Sequence, residues 1–274
     1  MSMILHLQTV APRNGLLWLR HGFKVFQRRP IALLGLFAVF MVMASGLMLL
    51  PGIGPVLLLM ALPLLSLGFM LATHLVLQDK TPTVAVFVAP LQLTPQRRNT
   101  QLLLCLAYAL ATLLVMLLAD WADGGALSSF QELLARGNAD EKTIEAALAE
   151  PALFWGSLLR LSLAALLSVP FWHAPALVHW GGQGVMQALF SSTLGVWRNR
   201  QAFALNALSW GGVIFAASLI LTVVLALLDL GRLLPLLAMP MGLLISTVFY
   251  ASLYFTFVDC FMFGAPRDLL DEHR

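Results

Sequence analysis

The residues of this chain that could do chemistry are the few ionisable side chains that interrupt its long apolar runs. They are His74, Cys105, Arg160, His173, Asp259 and Cys260. Such groups can bind zinc, and a carboxylate near a histidine can relay protons, but none of them has the local spacing of a known zinc motif. An ionised carboxylate at a helix end beside hydrocarbon requires a partner. We therefore expect a structural role, in which Asp259 pairs with a histidine or with a basic residue of a surface helix.

Two of these positions have a second interpretation. Arg160 lies about eight residues into an apolar run, where a charge costs a few kcal/mol unless it pairs or reaches the interface. It could line an anion path, but we expect its side chain to reach back to the lipid headgroups. His173 and His179 lie on different helical faces, with Pro175 between them. With the two neighbouring tryptophans they fit an interfacial belt better than a metal site.

Sequence signatures of enzymes are missing from this chain. It carries no P-loop, GxSxG, HExxH or compact pair of carboxylates. The glycine-rich stretch 181–184 follows no predicted strand, so we interpret it as a flexible start to a helix. We therefore predict that the protein is not an enzyme and has no cofactor and no metal site. Nucleic-acid binding is also disfavoured, because the basic residues lie beside apolar runs, where membrane-surface electrostatics accounts for them.

The elements that position these residues are membrane-spanning helices. Of the 274 residues, 60% are hydrophobic and 11% are charged, whereas about a quarter are charged in a soluble domain. Six apolar runs are each long enough to cross a hydrocarbon core about 30 Å thick. They cover residues 31–50, 56–77, 102–119, 152–174, 203–228 and 233–258. The predicted fold is an all-α polytopic membrane helix bundle of about six transmembrane helices, formed by a single domain over residues 1–274.

The stretch of residues 14–29 predicts an amphipathic helix that lies in the cytoplasmic membrane interface. Its apolar face consists of Leu16, Leu19, Phe23 and Phe26. A second interfacial helix is expected over residues 185–200, with Trp197 turned toward the acyl chains. The basic residues expected to contact lipid at these two helices are Arg20, Lys24, Arg28, Arg29, Arg198 and Arg200.

The basic residues beside the spans predict the topology. Twelve of them flank one side and three flank the other, which puts both termini in the cytoplasm and residues 120–151 in the periplasm. That loop is acidic, and two short helices are predicted within it. The first has a capping box from Ser129 to Glu132 and a stop at Gly137, and the second covers residues 140–150.

An internal repeat is suggested by the surface segments. Residues 18–30 align with residues 189–201 at a shift of 171 positions, and each copy precedes a two-span hairpin. A third, degraded copy lies near residues 82–98. These alignments indicate three units, each a surface segment followed by a hairpin. Alternatively, any basic amphipathic stretch before a span looks alike.

Several stretches resemble an uncharacterised family of proteobacterial multi-pass inner-membrane proteins of unknown function. They are GLLWLRHGFKVFQRRP, PLLSLGFMLATH, VPFWHAPALVHWGGQGVMQALFSSTLGVWRNRQAF and YASLYFTFVDCF. More distantly, the pattern of surface helix plus hairpin is similar to the membrane domain of some glycerophosphodiester phosphodiesterases. The resemblance implies this fold and a location in the bacterial inner membrane, and it implies no activity.

Two classes of function fit the sequence. The first is a non-catalytic module that binds lipid or stabilises a partner membrane protein. The second is a small-molecule or lipid transporter, since internal repeats are common in transporters. Few polar residues lie at the predicted midplane, so we favour the module. Membrane lipids are the expected partners, and a membrane-protein partner and a homo-oligomer both stay open.

Overall fold

The computed structural model describes residues 5–136 and 140–261, and every regular element in these ranges is helical. In chain order the helices are α1 (Asn14–Arg28), α2 (Pro30–Met48), α3 (Gly54–Leu77), α4 (Ala85–Val88), α5 (Pro95–Asp123), α6 (Ala126–Ala135), α7 (Glu141–Leu148), α8 (Pro151–Phe171), α9 (Ala174–Gly181), α10 (Val185–Arg198), α11 (Arg200–Leu227) and α12 (Leu234–Phe261). Short 3₁₀ turns over Ala89–Leu91 and Gly231–Leu233 follow α4 and precede α12.

Within the described ranges, six helices are long and apolar enough to cross a membrane, namely α2, α3, α5, α8, α11 and α12. This confirms the predicted all-α polytopic bundle. Some helix ends differ from the predicted ones. α5 begins at Pro95 rather than at residue 102, because proline suits the first turn of a helix. Arg97 therefore lies in the first turn of a spanning helix, although the predicted third surface segment extends to residue 98.

The predicted capping box at Ser129 is wrong. α6 begins at Ala126, so Ser129 lies inside the helix. The break before α6 is made by Gly124 and Gly125, whose φ angles of 62° and 80° lie in the left-handed region that glycine adopts without strain. α7 occupies the place of the second predicted short helix. Gly137, the predicted stop, lies outside the described residues.

α1 packs on a different face from the one that its amphipathic pattern indicates. Its buried residues are Gly15, Trp18, His21, Gly22 and Val25. They lie against α11 and α12, whereas Leu16 on the predicted apolar face is 53% exposed. Glycine permits the close approach: a Cβ at Gly22 would lie 2.8 Å from that of Ser252, and one at Gly15 would overlap the carbonyl oxygen of Ala202. The position of the outer face of α1 in the bilayer interface stays a prediction.

α10 has its small residues inside and its large apolar residues outside. Ala188, Ser192 and Gly195 are buried, and the helix packs on α8 and α9. The opposite face exposes a stripe with helical spacing, formed by Met186, Phe190, Leu194 and Trp197. This exposed stripe is the surface that the predicted interfacial helix over residues 185–200 would turn toward lipid.

A strap of residues 5–10, without regular structure, precedes α1 and lies against the ends of α10 and α12. Asn199, between α10 and α11, forms two side-chain hydrogen bonds with the backbone of the strap. Its Oδ1 accepts from the Val10 amide at 2.8 Å, and its Nδ2 donates to the Gln8 carbonyl at 3.0 Å. The Gln8 amide donates to the carbonyl of Cys260 at 2.8 Å. The strap thus joins the start of the described chain to the ends of two helices.

The three surface segments occupy equivalent places relative to the hairpins. α4 packs on α3, α10 packs on α8, and α1 packs on α11 and α12. Each segment therefore lies on the hairpin that precedes it, and α1, which no hairpin precedes, lies on the last one. Three repeated units would produce such a cycle, and the repeat itself stays a prediction.

The spanning helices pack closely at one end of the bundle. We call this the closed end, and it carries α1, α9 and α10. The opposite end, where α2 joins α3 and α11 joins α12, is the open end. All buried residues of α12 lie within residues 247–261, and those of α3 other than Gly54 lie within residues 63–76. The remaining halves of these two helices leave their side chains exposed or only partly buried.

Candidate functional site

Asp259 ties α12 to α1, as predicted, but through unexpected partners. Its Oδ2 accepts hydrogen bonds from the side-chain amide of Asn14 at 2.9 Å and from the indole Nε1 of Trp18 at 2.7 Å. Neither donor is a histidine or a basic residue, so that part of the prediction is wrong. Asn14 and Trp18 are one helical turn apart and therefore reach the same carboxylate. Hydrogen bonds to an ionised acceptor are about twice as strong as neutral ones.

His21 is buried near the same joint, with its ring centroid 5.0 Å from that of Phe255. Burial lowers the pKa of His21 below its ordinary value of 6.5, because the charged imidazolium would lose its hydration. The negative charge of Asp259 opposes this shift, and the positive charges of Lys24 and Arg20 add to it. The packed form of α1 therefore favours a neutral imidazole.

His74 holds α3 to α12 through a separate contact. Its Nδ1 lies 2.9 Å from the Tyr254 hydroxyl, and its Nε2 lies 2.9 Å from the side-chain nitrogen of Gln78. Because an amide nitrogen can only donate, Nε2 of His74 accepts and Nδ1 donates to Tyr254. Next to it, the Thr73 hydroxyl donates to the carbonyl of Ala251 at 3.1 Å.

His173 holds the corner between α8 and α9 to α12, and it is fully buried. Its Nε2 lies 3.1 Å from Oγ1 of Thr256, which also accepts from Nε1 of Trp172 at 3.2 Å. The single hydroxyl proton of Thr256 goes to the Leu253 carbonyl at 2.8 Å. Nε2 of His173 must therefore be the donor. Its Nδ1 has no hydrogen-bond partner among the described residues.

The predicted polar residues of the closed end thus form three separate joints on α12. They fasten α1, α3 and the α8–α9 corner to residues 254–259. Within residues 5–136 and 140–261, no three His, Cys, Asp or Glu side chains lie close enough together to hold a metal ion. The arrangement fixes the packing of the closed end, because each joint fastens a different element to the same helix.

Arg160 lies apart from these joints, toward the open end. It pairs with the carboxylates of Asp120 and Asp123 at the end of α5, and its side chain is 17% exposed. Contact of this side chain with the lipid headgroups, which the sequence led us to expect, stays a prediction. Two carboxylates three residues apart share one face of α5, and they neutralise the guanidinium within the protein. The interaction holds α8 to α5 where α8 buries only Leu153 and Gly156.

The basic residues predicted to contact lipid are largely at the surface. Arg20, Arg28, Arg29, Arg198 and Arg200 are exposed, and Lys24 is partly buried. Nε of Arg198 donates to the Thr9 hydroxyl at 2.9 Å, and the guanidinium of Arg200 lies 5.7 Å from the ring centre of Trp197. Contact between these residues and headgroups stays a prediction.

A cavity of about 170 Å³ lies between α3, α5, α8 and α12, where the close packing of the closed end begins. The aromatic residues among its lining are Tyr108, Phe171, Trp172, Phe249 and Tyr250. No charged residue lines it, and Ala164 on its lining is exposed, so the cavity opens to the surface of the bundle. Sequence reasoning missed this cavity because each lining residue belongs to an ordinary apolar helix face and only the packing brings the four faces together.

Four hydroxyl groups line the cavity. Ser66 donates to the carbonyl of Pro63 at 2.9 Å, and Ser168 donates to that of Ala165 at 2.7 Å. The hydroxyls of Tyr108 and Tyr250 have no hydrogen-bond partner in the described part of the chain, and neither is fully enclosed by protein. The cavity therefore presents two free phenol donors in apolar surroundings.

The His173 joint supports the floor of this cavity. Trp172 and Leu253 line the cavity. The hydroxyl of Thr256 accepts a hydrogen bond from the Trp172 indole and donates one to the Leu253 carbonyl. The floor is therefore held by hydrogen bonds, whereas among the described residues the Arg160 contact is the comparable joint on the side toward the open end.

Comparison with known proteins gives one relative. No protein-family model matches the chain, and no solved structure matches it. It is similar to a probable inner membrane protein of Burkholderia thailandensis, with 29% identity over 273 residues that cover 96% of this chain and 97% of that protein. The likeness and the six apolar helices support a multi-pass membrane protein. The distant similarity to glycerophosphodiester phosphodiesterases is not supported by these comparisons.

Proposed function

We propose that this chain is an inner-membrane protein that binds a lipid without catalysis, in the cavity between α3, α5, α8 and α12. The location follows from its likeness to a relative that is described as a probable inner membrane protein. The observation that carries the proposal is the cavity itself. It opens to the surface of a spanning helix at Ala164, and no charged residue lines it.

The walls of the cavity suit a largely apolar occupant that carries a few hydrogen-bond acceptors. They are mainly aromatic and aliphatic, and of their four hydroxyl groups those of Ser66 and Ser168 already donate within their own helices. A lipid group that enters gains dispersion contacts with side chains that would otherwise face empty space. Because the cavity opens on the side of a spanning helix, that group reaches it directly from the bilayer.

The packing of the bundle supports the same role. The closed end is fastened by the three joints on α12, so the cavity floor keeps its shape when a ligand leaves. Leu243 is partly buried against the core, and the other residues of α12 before Thr247 are exposed or only partly buried. A lipid can therefore approach this half of the helix.

A bulky residue at the rim tests the proposal. Ala164→Trp fills the cavity from α8, and Ala165→Trp, at the next exposed position, is the matched control because Ala165 does not line the cavity. In native mass spectrometry of protein purified from membranes, we expect a lipid bound to the wild type and to Ala165→Trp and absent from Ala164→Trp. Equal retention of lipid by both variants would contradict the proposal.

Transport of a lipid or small molecule is the second candidate. One observation favours it, since a bundle that is packed at one end and loosely packed at the other resembles one access state of a carrier. Substrate-dependent flux in proteoliposomes that is lost in Ala164→Trp would assign transport, and lipid retention without flux would assign binding alone.

A further inference from the structure

We propose that the ligand of this cavity is a neutral lipid whose polar part is a six-membered ring bearing carbonyl oxygens, as in a quinone, and that Tyr108 and Tyr250 donate hydrogen bonds to those oxygens. This inference rests on the proposed function, because it names the class of lipid that the cavity takes.

The size of the cavity fits one ring. An apolar protein cavity of about 150 Å³ holds benzene, and this one measures about 170 Å³. Five aromatic side chains surround the space, and a flat conjugated ring can meet them by stacking or edge-to-face contact. The acyl chains of a phospholipid could fill the same volume, but they are not flat rings and cannot stack on these aromatic side chains.

The free hydroxyls indicate a ligand that accepts hydrogen bonds. The hydroxyls of Tyr108 and Tyr250 have no hydrogen-bond partner among the described residues. Both side chains line the same small cavity. An unmade hydrogen bond in apolar surroundings is costly, and carbonyl oxygens on a ring would satisfy both donors.

The depth of these hydroxyls excludes a charged headgroup. Tyr108 is 13 residues after Pro95, and Tyr250 is 11 residues before Phe261. At about 1.5 Å per residue they lie roughly 16–20 Å from the closed ends of their helices. A hydrocarbon core is about 30 Å thick, so both lie near its middle. A phosphate would be strongly unfavourable there, whereas a ring ketone is neutral.

The test compares two ligands that share a ring and a chain. We would titrate the purified protein with 2-decyl-1,4-benzoquinone and with decylbenzene, which has no carbonyl oxygens, and follow binding by native mass spectrometry. We expect one quinone per chain, bound at least tenfold more tightly than decylbenzene. Tyr108→Phe and Tyr250→Phe should each weaken quinone binding about three- to tenfold and leave decylbenzene binding unchanged.

The matched control is Tyr254→Phe, because the Tyr254 hydroxyl binds His74 and does not line the cavity. It should leave the affinity for the quinone unchanged. Equal affinity for the two compounds, or quinone binding that neither phenylalanine variant weakens, would overturn the inference. If the quinone failed to bind while lipid retention still depended on Ala164, the proposed ring-carbonyl class of ligand would be refuted. The proposal that the cavity binds a lipid would then still be supported. Loss of the lipid site itself would appear as equal lipid retention in Ala164→Trp and Ala165→Trp.

Discussion

The hydroxyl of Ser192 in α10 bridges the backbone amide of His173 and the backbone carbonyl of Val169. Its Oγ accepts from the His173 amide at 3.0 Å and donates to the Val169 carbonyl at 3.0 Å. In an unbroken helix the amide would bond to that carbonyl directly. A side chain that is inserted between the backbone hydrogen-bonding groups of a helix bends that helix. Here the inserted Ser192 hydroxyl lies at the corner between α8 and α9. Because Trp172 at this corner lines the cavity, α10 sets the position of the cavity floor.

Ser192→Ala should therefore destabilise the protein. Without the hydroxyl, the His173 amide and the Val169 carbonyl lose their partner, and a buried polar group left unpaired costs about 1–3 kcal/mol. We expect the free energy of unfolding in detergent to fall by this amount. Thr193→Ala is the control, because Thr193 is exposed and bonds only to its own helix. A similar loss in both variants would show that the inserted hydroxyl has no special role.

Asp259→Asn should loosen α1 from α12. The substitution keeps the size of the side chain and removes its charge, so Asn14 and Trp18 donate to a weaker acceptor. We expect a loss of about 1–2 kcal/mol in unfolding free energy. Asp229→Asn, at an exposed turn, should be neutral. Metal analysis of the wild type provides a second measurement, and zinc that disappears with Asp259→Asn would assign a metal site instead.

His21 should make stability depend on pH. Below the ordinary pKa of 6.5, the unfolded chain binds a proton at His21 that the folded chain, with its lowered pKa, does not bind. The free energy of unfolding should therefore decrease as the pH falls below 6.5 and stop decreasing once the pH passes the folded-state pKa. His21→Phe should flatten this part of the profile. A profile that His21→Phe leaves unchanged would refute the assignment.

The orientation of the bundle can be tested by cysteine labelling, because the native Cys105 and Cys260 are both buried. The distribution of basic residues predicts that the open end faces the periplasm. Ser128→Cys, exposed on α6, should react with a membrane-impermeant maleimide in intact cells. Gln96→Cys, exposed at the closed end, should react only after lysis. The reverse pattern would mean that both termini are periplasmic.

The spans could be predicted from sequence because hydropathy is a local property. The packing face of α1 could not, since Leu16 and Phe23 define one apolar face and Trp18 and Val25 define another. The choice between these faces depends on Gly15 and Gly22, which allow contact with α11 and α12 far along the chain. The start of α6 before Ser129 likewise could not be predicted, because Gly124 and Gly125 decide where that helix begins.

For the candidate site, the sequence shows which charges require a partner but not which partner they find. Asp259 is bound by two neutral donors, and such donors are too common in sequences to single out. Arg160 could have been matched to Asp120 and Asp123 by their places at one end of two consecutive spans. The cavity could not be predicted, because it arises from the spacing of four helices and no single residue signals it.

Among the described helices, α1 is synthesised first but packs on the hairpin that is synthesised last. Asn14 precedes Asp259 by 245 residues, and a ribosome adds about 5–20 residues per second, so α1 is made roughly 12–50 s before its partner. During this interval the surface around Trp18 and His21 lacks its contacts with α12. A chain that terminates early never covers it. Exposure of this surface therefore marks a polypeptide whose α12 has not yet been made, and its burial marks the arrival of that helix.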